Sequence, residues 1–368
     1  MAARDSGTRT NSPGSWRLGG RGFRVISSLS ALALLLDASC ALTGRLSSHP
    51  PRAERGGGPR GAEALTPTAP GGSTNPFGVM LPSRVLLSSR ASEVLRELGV
   101  VFVRPAAAFV EQWDGRCPEC DAALAAGAKL VLTVRNSGRE STRPPSDLEK
   151  YKRVVAEIID AYSPALLVVE NEESSATFYA GTPDQYAAQL EAACEISHKK
   201  GVSCTNGGLV STLVALLVYD NYLQKGEVAR AEDFASRGIE QDIRRQLGSE
   251  RAQQQIRKGK ALLEAYRLSN ADFINFHWYV ADTKALEEAV EYLRSETGKP
   301  VITNEVGQLN DDPNQTTQVL AKIVELELPI AVWFGLDGPR ARGLVNLDGS
   351  LRPTGEAFGR FVHDRFAS

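Results

Sequence analysis

Two glutamates, Glu172 and Glu305, are the residues of this sequence best placed to carry out chemistry. Each follows a short apolar run, Leu166–Val169 in the first case and Pro300–Ile302 in the second. Such runs, bounded by polar residues, are typical of buried parallel strands. A carboxylate at the carboxyl end of such a strand lies where a (β/α)8 barrel builds its active site. Two carboxylates that face one cleft can act as general acid and nucleophile, the pair that glycoside hydrolysis uses.

The chain from residue 75 onward alternates strand-like with helix-like segments, which predicts repeated βα units. Eight segments read as buried strands: Phe77–Leu81, Val100–Val103, Leu130–Val134, Leu166–Val169, Val202–Thr205, Phe273–Phe276, Pro300–Ile302 and Ile330–Phe334. Eight such strands close a barrel and leave no exposed edge. The interval from Leu209 to Leu268 is too long for one crossover helix. We therefore predict an α/β fold, a (β/α)8 TIM barrel over residues 75–368, with a helical insertion between strands five and six.

The strand ends resemble those of clan A glycoside hydrolases along the whole predicted barrel. That clan carries an Asn-Glu pair after the fourth strand and a Glu after the seventh, and here these are Asn171-Glu172 and Glu305. Further matches, typical of cellulase- and β-mannanase-like members, are Arg104 after strand two, His277-Trp278-Tyr279 after strand six, Trp333 on strand eight and Leu347–Pro353 before the last helix. Those members place a His near strand three or four, whereas here strand three ends in Arg135-Asn136.

The resemblance implies a retaining β-glycosidase that works by double displacement. Glu305 would be the nucleophile, kept ionised by Arg104 and Tyr279, and Glu172 would be the general acid. The implied substrate-binding residues are Asn171 for the sugar 2-hydroxyl, Trp333 as an aromatic platform, and Arg104, His277, Tyr279 and Asn136. The implied partner is an oligosaccharide or polysaccharide, bound by a monomer that needs no cofactor and no metal.

Two more acids flank the predicted general acid, and they leave its identity open among three residues. Glu170 and Glu173 stand where relatives tend to carry apolar residues or proline. Strand alternation predicts that Glu170 faces the same way as Glu172, but lower in the barrel. It predicts that Glu173 points away, toward the following helix.

The first 74 residues differ in kind from the rest. Five arginines precede an apolar run, Val25–Leu36, which is too short to span a bilayer comfortably and predicts an export signal over residues 1–40. Ala38-Ser39-Cys40 resembles the end of a bacterial lipobox, although Asp37 departs from it, so a lipidated Cys40 and a freely secreted enzyme both stay open. Residues 41–74 are rich in Pro, Gly, Ala and Arg and predict a flexible tether. The predicted location is secreted or at the cell envelope.

Composition excludes some classes of function. The formal net charge of −2 gives no basic field, which argues against a nucleic-acid partner. Four histidines, with His49 in the tether and His363 near the end, are too few for a typical catalytic zinc site in a metal-dependent barrel hydrolase. The remaining alternative is a non-catalytic, surface-anchored barrel that binds carbohydrate, but such a protein would not need both glutamates.

Four cysteines belong to the predicted barrel. Cys117 and Cys120 form one CxxC unit with no second unit to complete a zinc ribbon, so we predict a local disulfide. Cys194 lies in a helical stretch and Cys204 on the next strand, and for these we predict two buried thiols.

Overall fold

The computed structural model describes residues 74–138, 141–337 and 342–366. The predicted export signal with Cys40, and the tether up to residue 73, lie outside the described residues. Within the described ranges, no helix combines the length and the apolar character needed to cross a bilayer.

Parallel strands form the centre of the molecule: β1 Phe77–Met80, β2 Phe102–Val103, β3 Ala108–Phe109, β4 Lys129–Arg135, β5 Leu166–Val169, β6 Ser203–Asn206, β7 Ile274–Trp278, β8 Val301–Val306 and β9 Ala331–Phe334. β3 pairs with β4 off the main path, and the others run in the order β6-β5-β4-β2-β1-β9-β8-β7. The two ends of this order meet through the parallel bridges Thr205–Phe273 and Leu209–Phe276. The barrel is therefore nearly closed, which confirms the predicted fold class.

The strands are connected by helices: Ser83–Leu86, Ala91–Leu98, Pro118–Ala125, Leu148–Tyr162, Pro183–Lys199, Ser211–Gln224, Val228–Gly238, Gln241–Arg244, Glu250–Leu268, Thr283–Thr297, Pro313–Glu325 and Pro353–Phe366, with a 3-10 turn at Val110–Gln112. Four of these lie between β6 and β7, so the predicted insertion is confirmed. The local sequence determines where several helices begin. Thr182 forms a capping box with Gln185, and Pro183 takes the first helical position.

Two apolar layers make up the core. The barrel interior is filled by one side of the strands: Phe102, Val131, Leu166, Val168, Phe273, Ile302, Ile330 and Val332. The alternate residues, including Leu167, Val169 and Trp333, pack in the larger layer between strands and helices. Because polar residues replace the apolar ones toward the carboxyl ends of β7 and β8, the interior becomes polar at that end of the barrel.

The barrel contains two disulfides, one local and one between a helix and a strand. Cys117 and Cys120 are bonded across the start of helix Pro118–Ala125, as predicted. Cys194 and Cys204 are also bonded, with Cα atoms 5.3 Å apart, so the prediction of two thiols is wrong. Only three residues connect helix Pro183–Lys199 to β6, so the chain turns back sharply and the helix packs directly on that strand.

Candidate active site

Glu305 is a buried carboxylate at the carboxyl end of β8. Its Oε2 accepts a hydrogen bond from Arg104 Nη1 at 2.6 Å, and its Oε1 accepts one from the Tyr279 hydroxyl at 2.6 Å. Arg104 and Glu305 expose only 5% and 3% of their side chains, so the ion pair is shielded from solvent. One positive charge and two donors thus hold Glu305 in a fixed orientation.

Glu172 lies in the loop after β5, three residues beyond the end of the strand. Its Oε1 is 2.9 Å from His277 Nδ1, and its side chain is 14% exposed. Glu170 and Glu172 both have left-handed backbone, with φ of 68° and 46°. Non-glycine residues rarely adopt this conformation, and it is found where surrounding structure holds a functional side chain in place. The loop therefore turns Glu172 toward β7 and β8.

Glu172, His277 and Glu305 each contribute one atom to a cluster in which the atoms lie within 4.8 Å of one another. Such spacing could hold a metal ion, and no other group of three or more His, Cys, Asp or Glu residues in the described chain has it. The spacing is already explained by hydrogen bonding, since His277 Nδ1 is 2.9 Å from Glu172 and 3.6 Å from Glu305. Arg104 also supplies a positive charge beside Glu305. We interpret the three side chains as a proton-sharing group.

The surroundings shift the pKa values of the two glutamates in opposite directions. Burial raises the pKa of Glu172, and the hydrogen bond and charge of His277 offset only part of this effect. Burial alone would also raise the pKa of Glu305, but His277, Arg104 and Tyr279 outweigh it, so that its pKa is lowered. Burial opposes the charged form of His277, but Glu305 and Glu172 outweigh it and raise its pKa. The arrangement favours an ionised Glu305 beside a Glu172 that retains its proton more readily.

Asn171, which precedes Glu172 in the sequence, is linked to Glu305 through Arg104. Its Oδ1 accepts a hydrogen bond from Arg104 Nη2 at 2.7 Å, and Arg104 Nη1 reaches Glu305. A cleft adjoins Arg104 and Asn171, with Phe109, Phe178 and Leu336 among its lining residues. The structure therefore places six of the residues singled out in the sequence around one point: Glu172, Glu305, Arg104, Asn171, His277 and Tyr279.

Trp333 is not part of this group, and the prediction of a sugar platform there is wrong. Its side chain is 1% exposed and packs edge-on against Phe358 of the last helix, with ring centroids 5.8 Å apart. Val332, the preceding residue of β9, belongs to the layer that fills the barrel interior. Strand alternation therefore turns Trp333 to the outer, helix-facing layer.

The substrate-binding prediction for Asn136 is also not supported. Its side-chain amide donates to Glu111 and to the backbone carbonyl of Arg143, and its backbone N–H donates to Glu170. Asn136 is 3% exposed, and these bonds fix the loop after β4.

The acids that flank Glu172 have separate, fully buried environments. Glu170 accepts bonds from Asn136 N–H, Thr142 and Gln189, which places it toward the helices and contradicts the predicted shared face with Glu172. The left-handed turn at Glu170 breaks the strand alternation on which that prediction depended. Glu173 accepts bonds from Asn206 and from Tyr266 on helix Glu250–Leu268.

Three buried asparagines and one glycine near His277 were missed by sequence reasoning. Asn206, Asn275 and Asn304 are 0% exposed and lie on β6, β7 and β8. Gly208 has φ of +103°, and a Cβ at this position would lie 2.2 Å from His277 Nε2. The available signal was an asparagine inside or beside an apolar strand, because a buried amide requires partners.

Residues 257–329 match the family model described as Glycosyl hydrolase catalytic core, a segment that contains His277, Tyr279 and Glu305. This match supports the predicted enzyme class, a glycosidase. No curated protein matches the chain.

Several solved structures are similar to this chain at low sequence identity. The chain is similar to a glucosidase from Croceicoccus marinus, at 15% identity and a TM-score of 0.53, over 76% of this chain and 62% of that one. Endo-β-1,3-glucanases described as GH128 are similar at lower TM-scores. The one from Sorangium cellulosum has 15% identity and a TM-score of 0.49, over 77% of this chain and 97% of that one. The one from Amycolatopsis mediterranei has 14% identity and a TM-score of 0.47, over 78% and 99%.

The family-model match supports the glycoside hydrolase type, and the Croceicoccus structure supports the barrel fold. The comparisons do not support the narrower resemblance to cellulases or β-mannanases. The chain spans 62% of the length of the Croceicoccus glucosidase.

Proposed function

We propose that this chain is a retaining glycoside hydrolase that cleaves β-glycosidic bonds of an oligosaccharide or polysaccharide by double displacement. The observation that carries the proposal is the approach of Glu172 and Glu305, whose nearest carboxylate oxygens lie within 4.8 Å of each other. Retaining enzymes hold their two carboxyl groups about 5–5.5 Å apart, whereas inverting enzymes leave about 6.5–9.5 Å for a water. The short separation favours direct attack by one of the carboxylates.

The opposite pKa directions support the assignment of the two proposed roles. Glu305, whose pKa is lowered by His277 and Arg104 against the effect of burial, is the nucleophile that attacks the anomeric carbon. Glu172, whose pKa is raised by burial, protonates the leaving oxygen and then activates the water that releases the sugar. Asn171 Oδ1 is engaged by Arg104, so its Nδ2 remains to donate to the sugar 2-hydroxyl.

We also propose that the enzyme acts outside the cytoplasm. The support is the arginine-rich, apolar N-terminus together with two disulfides in the barrel, which suit an oxidising compartment. Recovery of the full-length, unprocessed chain from the cytoplasm of its native host would contradict export. Labelling with a fatty-acid analogue, compared between wild type and Cys40→Ser, decides between a lipid-anchored and a freely secreted enzyme.

The decisive test is a screen of wild type and Glu305→Gln on aryl β-glycosides and β-glucans, including laminari-oligosaccharides, with NMR of the first anomer released. We expect the β-anomer from wild type and no turnover from the variant. Release of the α-anomer would refute retention. Binding of a glycan without cleavage by wild type would favour the non-catalytic barrel. Activity that disappears with EDTA and returns with a metal would favour metal-dependent hydrolysis.

A further inference from the structure

The orientation of the Asn275 side chain is fixed by two backbone groups. Its Oδ1 lies 2.9 Å from the backbone N–H of Asn304, which can only donate. Its Nδ2 lies 3.0 Å from the backbone carbonyl of Asn206, which can only accept. An inverted amide would place donor against donor and acceptor against acceptor, so the assignment of oxygen and nitrogen follows from the backbone.

The orientation of Asn304 follows from that of Asn275. Asn275 Nδ2 also donates to Asn304 at 2.8 Å, so the receiving atom must be the oxygen, Oδ1. The same oxygen lies 2.9 Å from His277 Nε2. Since a carbonyl oxygen cannot donate, Nε2 must carry a proton. Asn304 Nδ2 has no partner among the described residues, so the amide keeps this orientation without using its own donor.

Asn206 anchors the other end of this series. Its Oδ1 accepts from Asn275 N–H at 2.7 Å, and its Nδ2 donates to the Asn275 carbonyl at 2.9 Å. Its Nδ2 also reaches Glu173 at 2.9 Å. We call Asn206, Asn275 and Asn304 the amide ladder. Its three members are fully buried, on three neighbouring strands.

We propose that the amide ladder fixes His277 with a permanent proton on Nε2, so that the proton which His277 gains and loses is always the one on Nδ1, shared with Glu172. Asn304 is then a positioning residue for the acid/base. When His277 is charged, Nδ1–H donates to the Glu172 carboxylate. When His277 is neutral, Nδ1 accepts from the Glu172 carboxyl. This catalytic consequence rests on the proposed function, whereas the ladder geometry does not.

Several charged groups act on His277 from the elements packed around it. Glu172 approaches from the loop after β5, and Glu305 from β8. Arg104, after β2, opposes the charge of His277, and Glu173, which follows Glu172 in the β5 loop, interacts with the His277 charge. Three carboxylates and one guanidinium therefore act on Nδ1 and the ring, while a neutral amide contacts Nε2.

The first experiment determines the tautomer without any substrate. The full-length chain is labelled with ¹⁵N-histidine, and His277 is identified among four histidines by its loss in His277→Gln. Long-range ¹H–¹⁵N spectra at a pH where the ring is neutral show which nitrogen is protonated, because Nε2 couples strongly to both ring carbon protons. We expect a protonated Nε2 in wild type. A protonated Nδ1 would overturn the proposal.

The second experiment uses charge and shape at position 304. Asn304→Asp adds an anion at Nε2 and stabilises the imidazolium. The proton that His277 and Glu172 share is then lost at higher pH, so the basic limb of the pH–rate profile moves up by about 1 unit or more. Asn304→Leu removes the acceptor, so the neutral ring transfers its proton to Nδ1, stabilises ionised Glu172 and moves that limb down. If Asn304 had only a structural role, both variants would lose activity, but their basic limbs would not shift in opposite directions.

Asn221→Asp is the matched control, because it adds the same charge on the insertion helix Ser211–Gln224 and should leave the profile unchanged. If Asn304→Leu does not fold, the wild-type tautomer and the Asn304→Asp profile still decide. Absence of any limb shift in Asn304→Asp would refute the positioning role. A wild type that hydrolyses no glycoside would refute the proposed function alone, since the spectra still report the ladder.

Discussion

Arg104 and Glu305 form a buried ion pair in which Nη1 of the guanidinium lies 2.6 Å from Oε2 of the carboxylate. The pair joins the ends of β2 and β8, which are separated by β1 and β9 in the barrel order. The same guanidinium contacts Asn171 through Nη2. Arg104 therefore spans the barrel mouth and fixes Glu305, the proposed nucleophile, relative to the β5 loop.

We predict that Arg104→Met moves the acidic limb of the pH–rate profile to higher pH by about 1 unit or more. The nucleophile must be ionised, so activity falls as the pH drops through the pKa of Glu305. Arg104 helps to hold that pKa below its usual value, and removing it raises the pH at which Glu305 ionises. The measurement is kcat/KM against pH. The exposed Arg96 provides the control, Arg96→Met, and equal profiles for both variants would argue against the ion pair's role.

We predict that Glu305→Ala lowers kcat by roughly 10⁴-fold or more, because it removes the nucleophile. Azide can occupy the space left by the carboxylate and attack the anomeric carbon directly. The product should be a glycosyl azide of inverted anomeric configuration, identified by NMR. An unaltered rate, or an azide product of retained configuration, would remove Glu305 from this role.

We predict that Glu172→Gln lowers hydrolysis of an unactivated glycan by about 10²–10⁴-fold. A dinitrophenyl leaving group needs no proton, so the first step on an activated glycoside should be largely kept. The basic limb of the pH profile should disappear. Stopped-flow release of dinitrophenol measures the first step, and pH–rate curves measure the limb.

Glu170→Gln is the matched comparison for that variant, since Glu170 is a buried neighbour bound to Asn136, Thr142 and Gln189. We expect reduced stability with the basic limb intact. If Glu170→Gln shows the pattern expected of Glu172→Gln, Glu170 is the general acid.

We predict that Gly208→Ala lowers kcat by about 10²-fold, because its Cβ would lie 2.2 Å from His277 Nε2 and displace the ring. Gly201→Ala is the control. Gly201 also has positive φ, at +70°, but a Cβ there meets nothing within 4 Å. Both variants introduce backbone strain, but only the alanine at position 208 also displaces the His277 ring, so we expect the larger loss of kcat, with some additional loss of thermal stability, at position 208. Equal kcat values for the two variants would show that the close approach of position 208 to His277 does not matter for catalysis.

We predict that Cys194→Ala/Cys204→Ala lowers the free energy of unfolding by about 2–3 kcal/mol, measured by denaturant titration. The bridge closes a loop with a sequence separation of 10, whereas Cys117–Cys120 has a separation of 3. Loop-closure entropy grows with length, so Cys117→Ala/Cys120→Ala should cost less. A larger loss for the CxxC pair would contradict this ranking.

The barrel and its insertion were predictable because buried parallel strands are short apolar runs separated by helix-length segments. The strand-end positions of Glu172 and Glu305 followed from the same pattern. The failure at Trp333 has a physical cause. Both faces of a parallel strand in such a barrel are apolar, so the sequence does not reveal which residues face inward. The predicted pattern of inward-facing residues was wrong by one position, so Trp333 lies in the layer between strands and helices and not in the cleft.

The remaining errors depend on three-dimensional register. The Cys194–Cys204 bridge requires knowledge of how helix Pro183–Lys199 returns onto β6. The direction of Glu170 depends on a left-handed residue that only the surrounding fold imposes. The amide ladder depends on the alignment of three strands, of which sequence reasoning fixed only the approximate ends.

The amide ladder also has a consequence for engineering. Between β6 and β7 the barrel wall is joined by isolated bridges, and Asn206 adds two bonds from its side chain to the backbone of Asn275. A substitution at either residue would loosen the wall as well as alter proton sharing. Asn304 lies on β8, and its side chain contacts that junction only through the bond from Asn275 Nδ2, besides its contact with His277. Under the proposed positioning role of Asn304, position 304 is therefore where the working pH would be adjusted with the least risk to barrel closure.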